Sequence, residues 1–120
     1  MELRATIRTQ VPSKSNSYKI VNFNGHSTLA KTNRLVEFEN AFFWECGELR
    51  NKNISVPFRL SVKVYYSSLR LDIDNSLKIL LDCLQKARTI KNDNLCYKVE
   101  AEKFRDKVNP RVELELYYDE

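Results

Sequence analysis

The chain has 120 residues, of which 42% are apolar and 30% charged, with a net charge of +4. That suits one soluble domain with a real core, and no run approaches the roughly 20 apolar residues a membrane span needs. Three widely spaced cysteines (Cys46, Cys83, Cys96) and the single His26 argue against a disulfide framework and against a zinc site. The opening Met1-Glu2-Leu3-Arg4 has no apolar leader segment, so a cytoplasmic protein without a membrane partner is expected.

In chain order, residues Leu3 to Val11 alternate, with Leu3, Ala5, Ile7 and Val11 on one side, which predicts a half-buried strand. Pro12 ends it. The stretch from Pro12 to Thr28, rich in Ser, Asn and Lys, reads as a long loop. Leu35, Phe38, Phe42, Cys46 and Leu49 recur at spacings of three and four and predict a helix over about residues 32–48. Phe43 and Trp44 widen its apolar surface for a core or dimer contact. Ile54 to Tyr66 is the cleanest alternation in the chain, a long strand whose start is marked as an edge or bulge by Pro57. A second helix follows to about Ala87 or Arg88, with Leu77, Leu80, Leu81 and Leu84 as its apolar face and Asp74 or Asn75 at the N-cap position. Two alternating runs, Leu95 to Phe104 and Arg111 to Tyr118, read as a closing hairpin. This order predicts an α+β single domain over residues 1–120, with a mixed or antiparallel sheet and two helices packed on it.

Capping accounts for one acid at the start of the second helix, but Asp72 and Asp74 stand there together, and Asp93 follows in Lys91-Asn92-Asp93-Asn94. Lys78 and Asp82 continue from Asp74 at steps of four, along one helix face. Carboxylates drawn together repel by about 1 kcal/mol per pair at about 4 Å in water. A divalent cation offsets that, and Mg²⁺ takes one or two carboxylates with water and substrate phosphate.

Asp72-x-Asp74-Asn75-x-x-Lys78-x-x-x-Asp82, followed by Asn92-Asp93, resembles the RusA family of Holliday-junction resolvases, as does the loop Ser13-Lys14-Ser15-Asn16-Ser17. The resemblance extends over nearly the whole chain. It implies a Mg²⁺-dependent endodeoxyribonuclease, with Mn²⁺ as a substitute, acting as a homodimer on branched DNA and nicking four-way junctions by symmetric cuts. Carried over by position, Asp72, Asp74 and Asp93 would be metal-binding catalytic acids and Lys78 the catalytic lysine. Asn75, Asp82 and Asn92 would lie in the outer shell. Each subunit would then supply one complete acid cluster. Lys14, Asn16, Lys19, Lys31, Arg34 and Arg70 would contact DNA, by phosphates more than by bases. Two departures stand out: Asn92 replaces the first acid of an Asp-Asp pair, and Leu71 precedes Asp72 where some members carry a basic residue. The competing readings are a non-catalytic branched-DNA-binding protein and a metal-dependent nuclease acting on flaps, forks or RNA.

Overall fold

The structure is a computed structural model and describes residues 1–119. Among the described residues, six strands and two α-helices run in the order β1 (Glu2–Ile7), β2 (Tyr18–Phe23), β3 (His26–Lys31), α1 (Asn33–Glu45), β4 (Phe58–Tyr66), α2 (Ile73–Lys86), β5 (Cys96–Arg105) and β6 (Arg111–Tyr118). Four of the strands form a mixed sheet in the order β1-β6-β4-β5, and β2 and β3 form a separate hairpin. This is the α+β class expected, with both predicted helices in place.

The sheet follows from the period-two pattern. Along β4, Phe58, Leu60, Val62, Val64 and Tyr66 are buried and meet Leu114, Leu116 and Val112 of β6. Thr32 caps α1 by accepting the Leu35 N–H at 3.2 Å, and Leu35, Phe38 and Phe42 enter the core. Its other aromatics stay outside: Trp44 is 73% exposed, edge-on to Phe43, with the Arg50 guanidinium over both rings.

Three local expectations are corrected. The first strand stops at Ile7, because its partner β6 begins at Arg111 and the Arg8 N–H turns to Glu45 Oε1 at 2.8 Å. The supposed loop from Pro12 to Thr28 contains most of a hairpin, turning at Asn24-Gly25 with both residues at positive φ (50° and 79°). An Asn-Gly pair takes up that left-handed turn readily. The last two strands are not a hairpin. β5 returns parallel to β4, while β6 pairs antiparallel on β4's other side. A helix between two strands lets them lie parallel, so α2 carries the chain back along the sheet before β5 begins. β5 is left as an edge strand.

Candidate functional site

The lead-in from β4 to α2 is tied down from beneath. Tyr66, the last residue of β4, is buried and shares a short hydrogen bond with the buried Ser76 hydroxyl of α2. Both hydroxyls also reach the Asp72 carbonyl oxygen at 3.3 Å. Burial pushes the Tyr66 phenol above its ordinary value despite the Ser76 bond, with the charges of Asp72 and Asp74 adding to the effect. Just ahead of Asp72, Lys103 of β5 donates from Nζ to the Leu69 and Leu71 carbonyls at 2.9 and 3.2 Å.

Asp72, not Asp74 or Asn75, is the N-cap of α2. Its backbone is extended (φ −84°, ψ 130°), and its side chain makes no capping bond. The exposed Asp72 carboxylate is therefore not consumed by the helix it precedes. Asp74 lies in the first turn, where its Oδ1 accepts the Asn75 N–H at 2.9 Å. The Asn75 side chain reaches the Pro12 carbonyl at 3.4 Å and links α2 to the segment ahead of β2. The helix buries Ser76, Ile79, Leu80, Cys83 and Leu84, with Leu77 and Leu81 only partly covered, so the buried stripe is rotated from the expected leucine face. Lys78 lies on the wall of the cleft that this end of the helix borders.

That cleft has a volume of 540 Å³ and is lined by Lys14, Tyr18, Leu29, Asp72, Asp74, Asn75, Lys78 and Ile79. Two carboxylates, two lysines and a helix N-terminus thus share one concave surface. A second depression joins Lys14 and Arg70 to Asp72, and a third sets Arg70 beside Arg105 and Lys107. Those last two cations escape a reading by sequence, since only the parallel placement of β5 brings its end to Arg70. Lys103 is hidden for the same reason.

The remaining predicted residues separate. Asn16 and Arg34 line a neighbouring groove with Gln10, Ser13 and Leu71. Lys19 is exposed on the hairpin. Lys31 is engaged instead with Glu39, at 2.8 Å, which also receives Lys86 at 2.7 Å. Asp82 is half-buried further along α2, outside the cleft lining. Asn92 caps a short turn by accepting the Asn94 N–H at 3.0 Å. Asp93 is exposed in that turn, and its backbone N–H donates to Gln85 Oε1 at 2.7 Å, near the C-terminal end of α2. Among the described residues, no three His, Cys, Asp or Glu side chains come together as a metal-binding group.

Two carboxylates with open coordination still match what Mg²⁺ uses, because that ion keeps several waters and takes further oxygens from a substrate phosphate. Neither carboxylate is held by a basic side chain of the chain itself, as no ion pair of Asp72 or Asp74 occurs among the described residues. The donor set fits the ion.

Fold and cleft together define an α+β domain that presents acids and a lysine at a helix N-terminus, rimmed by cations. The chain belongs to the endodeoxyribonuclease RusA family, whose model matches residues 9–117. It is 36% identical over 72 residues to the crossover junction endodeoxyribonuclease RusA of Aquifex aeolicus (strain VF5), a match covering 58% of this chain and 56% of that relative. Among the described residues, no helix is long and apolar enough to cross a membrane.

Proposed function

We propose that this protein is a Mg²⁺-dependent, structure-selective endodeoxyribonuclease that resolves four-way DNA junctions by paired symmetric nicks. The observation that carries the reading is the convergence of Asp72, Asp74 and Lys78 on one cleft, with Lys14 at its wall. Family membership supplies the reaction class.

Asp72 and Asp74 would hold the cation through carboxylate oxygens. When bound, the ion would make a coordinated water more acidic and stabilise charge on the scissile phosphate. Lys78, one turn beyond Asp74, presents a compact ammonium to the same space, where it can meet the charge that develops on the phosphate or leaving oxygen. The dipole of α2, whose N-cap side chain makes no capping bond, favours an anion at this end of the helix. Lys14 and Arg70 hold flanking phosphates, which positions a backbone without reading its bases. The Tyr66–Ser76 pair holds the Asp72 backbone from below, so the carboxylate does not depend on a mobile loop for its placement.

The test uses one labelled synthetic four-way junction and a linear duplex of the same sequence, each with Mg²⁺ and with EDTA. Nicks in two opposing strands of the junction, dependent on Mg²⁺ and absent from the duplex, are the expected result. Tight junction binding without cutting in Mg²⁺ or Mn²⁺ would instead establish a non-catalytic branched-DNA-binding protein. Flap, fork and RNA substrates in the same panel decide the substrate class.

A further inference from the structure

We propose that Glu39 is a positioning residue, whose carboxylate fixes the β2–β3 hairpin relative to α2 and so sets the width of the cleft that takes the DNA; this rests on the nuclease reading above. The hairpin supplies Tyr18 and Leu29 to the cleft wall, and α2 supplies Asp74, Asn75, Lys78 and Ile79. Packing holds the hairpin only weakly. β2 and β3 form a sheet of their own, and no residue of either strand is buried. Tyr18 is the one apolar side chain of the hairpin that packs, in part, against the core. A two-stranded hairpin standing alone is marginally stable at best, so its placement needs other contacts. At its root the Thr32 N–H donates to the Ser17 carbonyl at 3.0 Å, and the Thr32 hydroxyl donates to the Asn16 carbonyl at 2.5 Å. Bonds gathered at one point fix where the hairpin leaves the body and leave its tilt free.

The tilt is set by Glu39 of α1, whose side chain is only 13% exposed. Its two carboxylate oxygens accept from Lys31 Nζ at 3.2 and 2.8 Å, and Oε2 also accepts from Lys86 Nζ at 2.7 Å. Lys31 is the last residue of β3 and lies opposite Tyr18 in the hairpin register. Lys86 is the last residue of α2. One carboxylate therefore joins the two elements whose side chains make the cleft. Among the described residues, Lys31–Glu39 is the one salt bridge between the hairpin and the rest of the chain. Charge-assisted bonds to a mostly covered carboxylate are stronger than an exposed surface pair. The arrangement reverses a sign. Removing an acid near bound DNA ordinarily tightens binding, and here it would also release Lys31 to a phosphate. Where the carboxylate positions the wall, its loss loosens the hairpin and weakens binding.

The test compares the full chain with Glu39→Gln, Lys31→Met and the double variant. Amide exchange is followed by mass spectrometry on the free protein, junction affinity in EDTA across salt, and single-turnover cleavage in Mg²⁺. Glu39→Gln is expected to speed exchange at the hairpin root, residues 17–20 and 29–32, with β4 and β6 unchanged. It should weaken junction binding about 10-fold, with a smaller effect on cleavage at saturating junction. Lys31→Met should match it, and the double variant should be no worse than either single one, because both break the same bond. Binding by Glu39→Gln as tight as wild type or tighter overturns the inference. So does a Lys31→Met defect much larger than that of Glu39→Gln with a shallower salt slope, which makes Lys31 a phosphate contact. Faster exchange throughout β4 and β6 also overturns it, since Glu39 then serves global stability alone. If the exchange pattern appears as expected while the wild-type chain neither binds nor cuts a junction, Glu39 still anchors the hairpin and the nuclease reading is the part that fails.

Discussion

At the scale of single residues, the chemistry proposed for Lys78 depends on packing. It stands on a helix locked to the sheet by Ile79, Leu80, Cys83 and Leu84, so its ammonium is presented by a rigid element. Lys78→Ala should lower single-turnover cleavage by about 100-fold or more, the scale of removing one transition-state donor. Lys78→Arg should restore little, since a planar fork does not replace a compact charge. Junction affinity measured across salt should keep nearly its wild-type slope in both variants, because at most one phosphate contact is lost. Tyr66 and Ser76 act one layer below. Tyr66→Phe removes the shared hydroxyl contact and should cost about 1 kcal/mol in denaturant unfolding. It should also lower cleavage at saturating junction without weakening binding, because the Asp72 backbone loses one of its two supports. The spacing Asp72-x-Asp74-Asn75-x-x-Lys78 makes this cleft legible from the sequence, since all three charged groups fall on one helix start and its first turns. Ser76 is not legible, because a serine amid charged residues gives no sign that it faces inward toward a tyrosine ten positions earlier.

At the scale of elements, legibility depends on whether a pattern is local. The alternation of β4 and the three-four spacing of α1 hold, and the residues expected in the core of α1 are buried, but the strand expected from Ile54 begins only at Phe58, Ile54 making an isolated bridge to Ile90. The parallel return of β5 is a non-local fact. Alternation in β5 and β6 describes each strand but does not say which neighbour it takes, so it suggests a hairpin where a crossover exists. Lys103, Arg105 and the distance of Asp93 from the cleft are hidden by the same step. The β2–β3 hairpin is hidden for another reason: its composition is polar, and its signal is confined to Asn24-Gly25. Ile20, Phe23 and Leu29 are each at least 70% exposed on it, so it stands away from the core. Gly25→Val should strain its turn, where φ is 79°. The expected result is weaker junction binding in a mobility-shift assay, with thermal unfolding of the sheet domain almost unchanged.

At the scale of the whole molecule, charge sets the stability profile, and the proposed paired nicking carries an expectation for the assembly. Burial works against the Glu39 carboxylate, yet hydrogen bonds from Lys31 and Lys86 hold it below its ordinary value of 4.5. A depressed carboxylate contributes stability above its unfolded value, and that contribution is lost as pH falls through the folded one. Lys31 is raised from 10.5 by its hydrogen bond to Glu39, so its contribution is present below 10.5 and lost as pH rises through the folded value. Denaturant midpoints should therefore hold level through neutral pH and fall at both extremes. Glu39→Gln should flatten the acid side. Two nicks on opposing strands of a two-fold junction call for two sites related by a two-fold axis, so sedimentation at micromolar concentration should give twice the chain mass. The mass of a single chain would exclude that assembly.

The central claim is that the Asp72–Asp74 pair at the head of α2 performs phosphodiester hydrolysis on a junction. It is tested most directly by single-turnover cleavage of a labelled four-way junction by Asp74→Asn in Mg²⁺, with binding measured on the same sample. Cutting should be abolished while binding is unchanged or tighter, because a negative charge facing a polyanion has been removed. Cleavage by Asp74→Asn at near the wild-type rate would contradict the assignment.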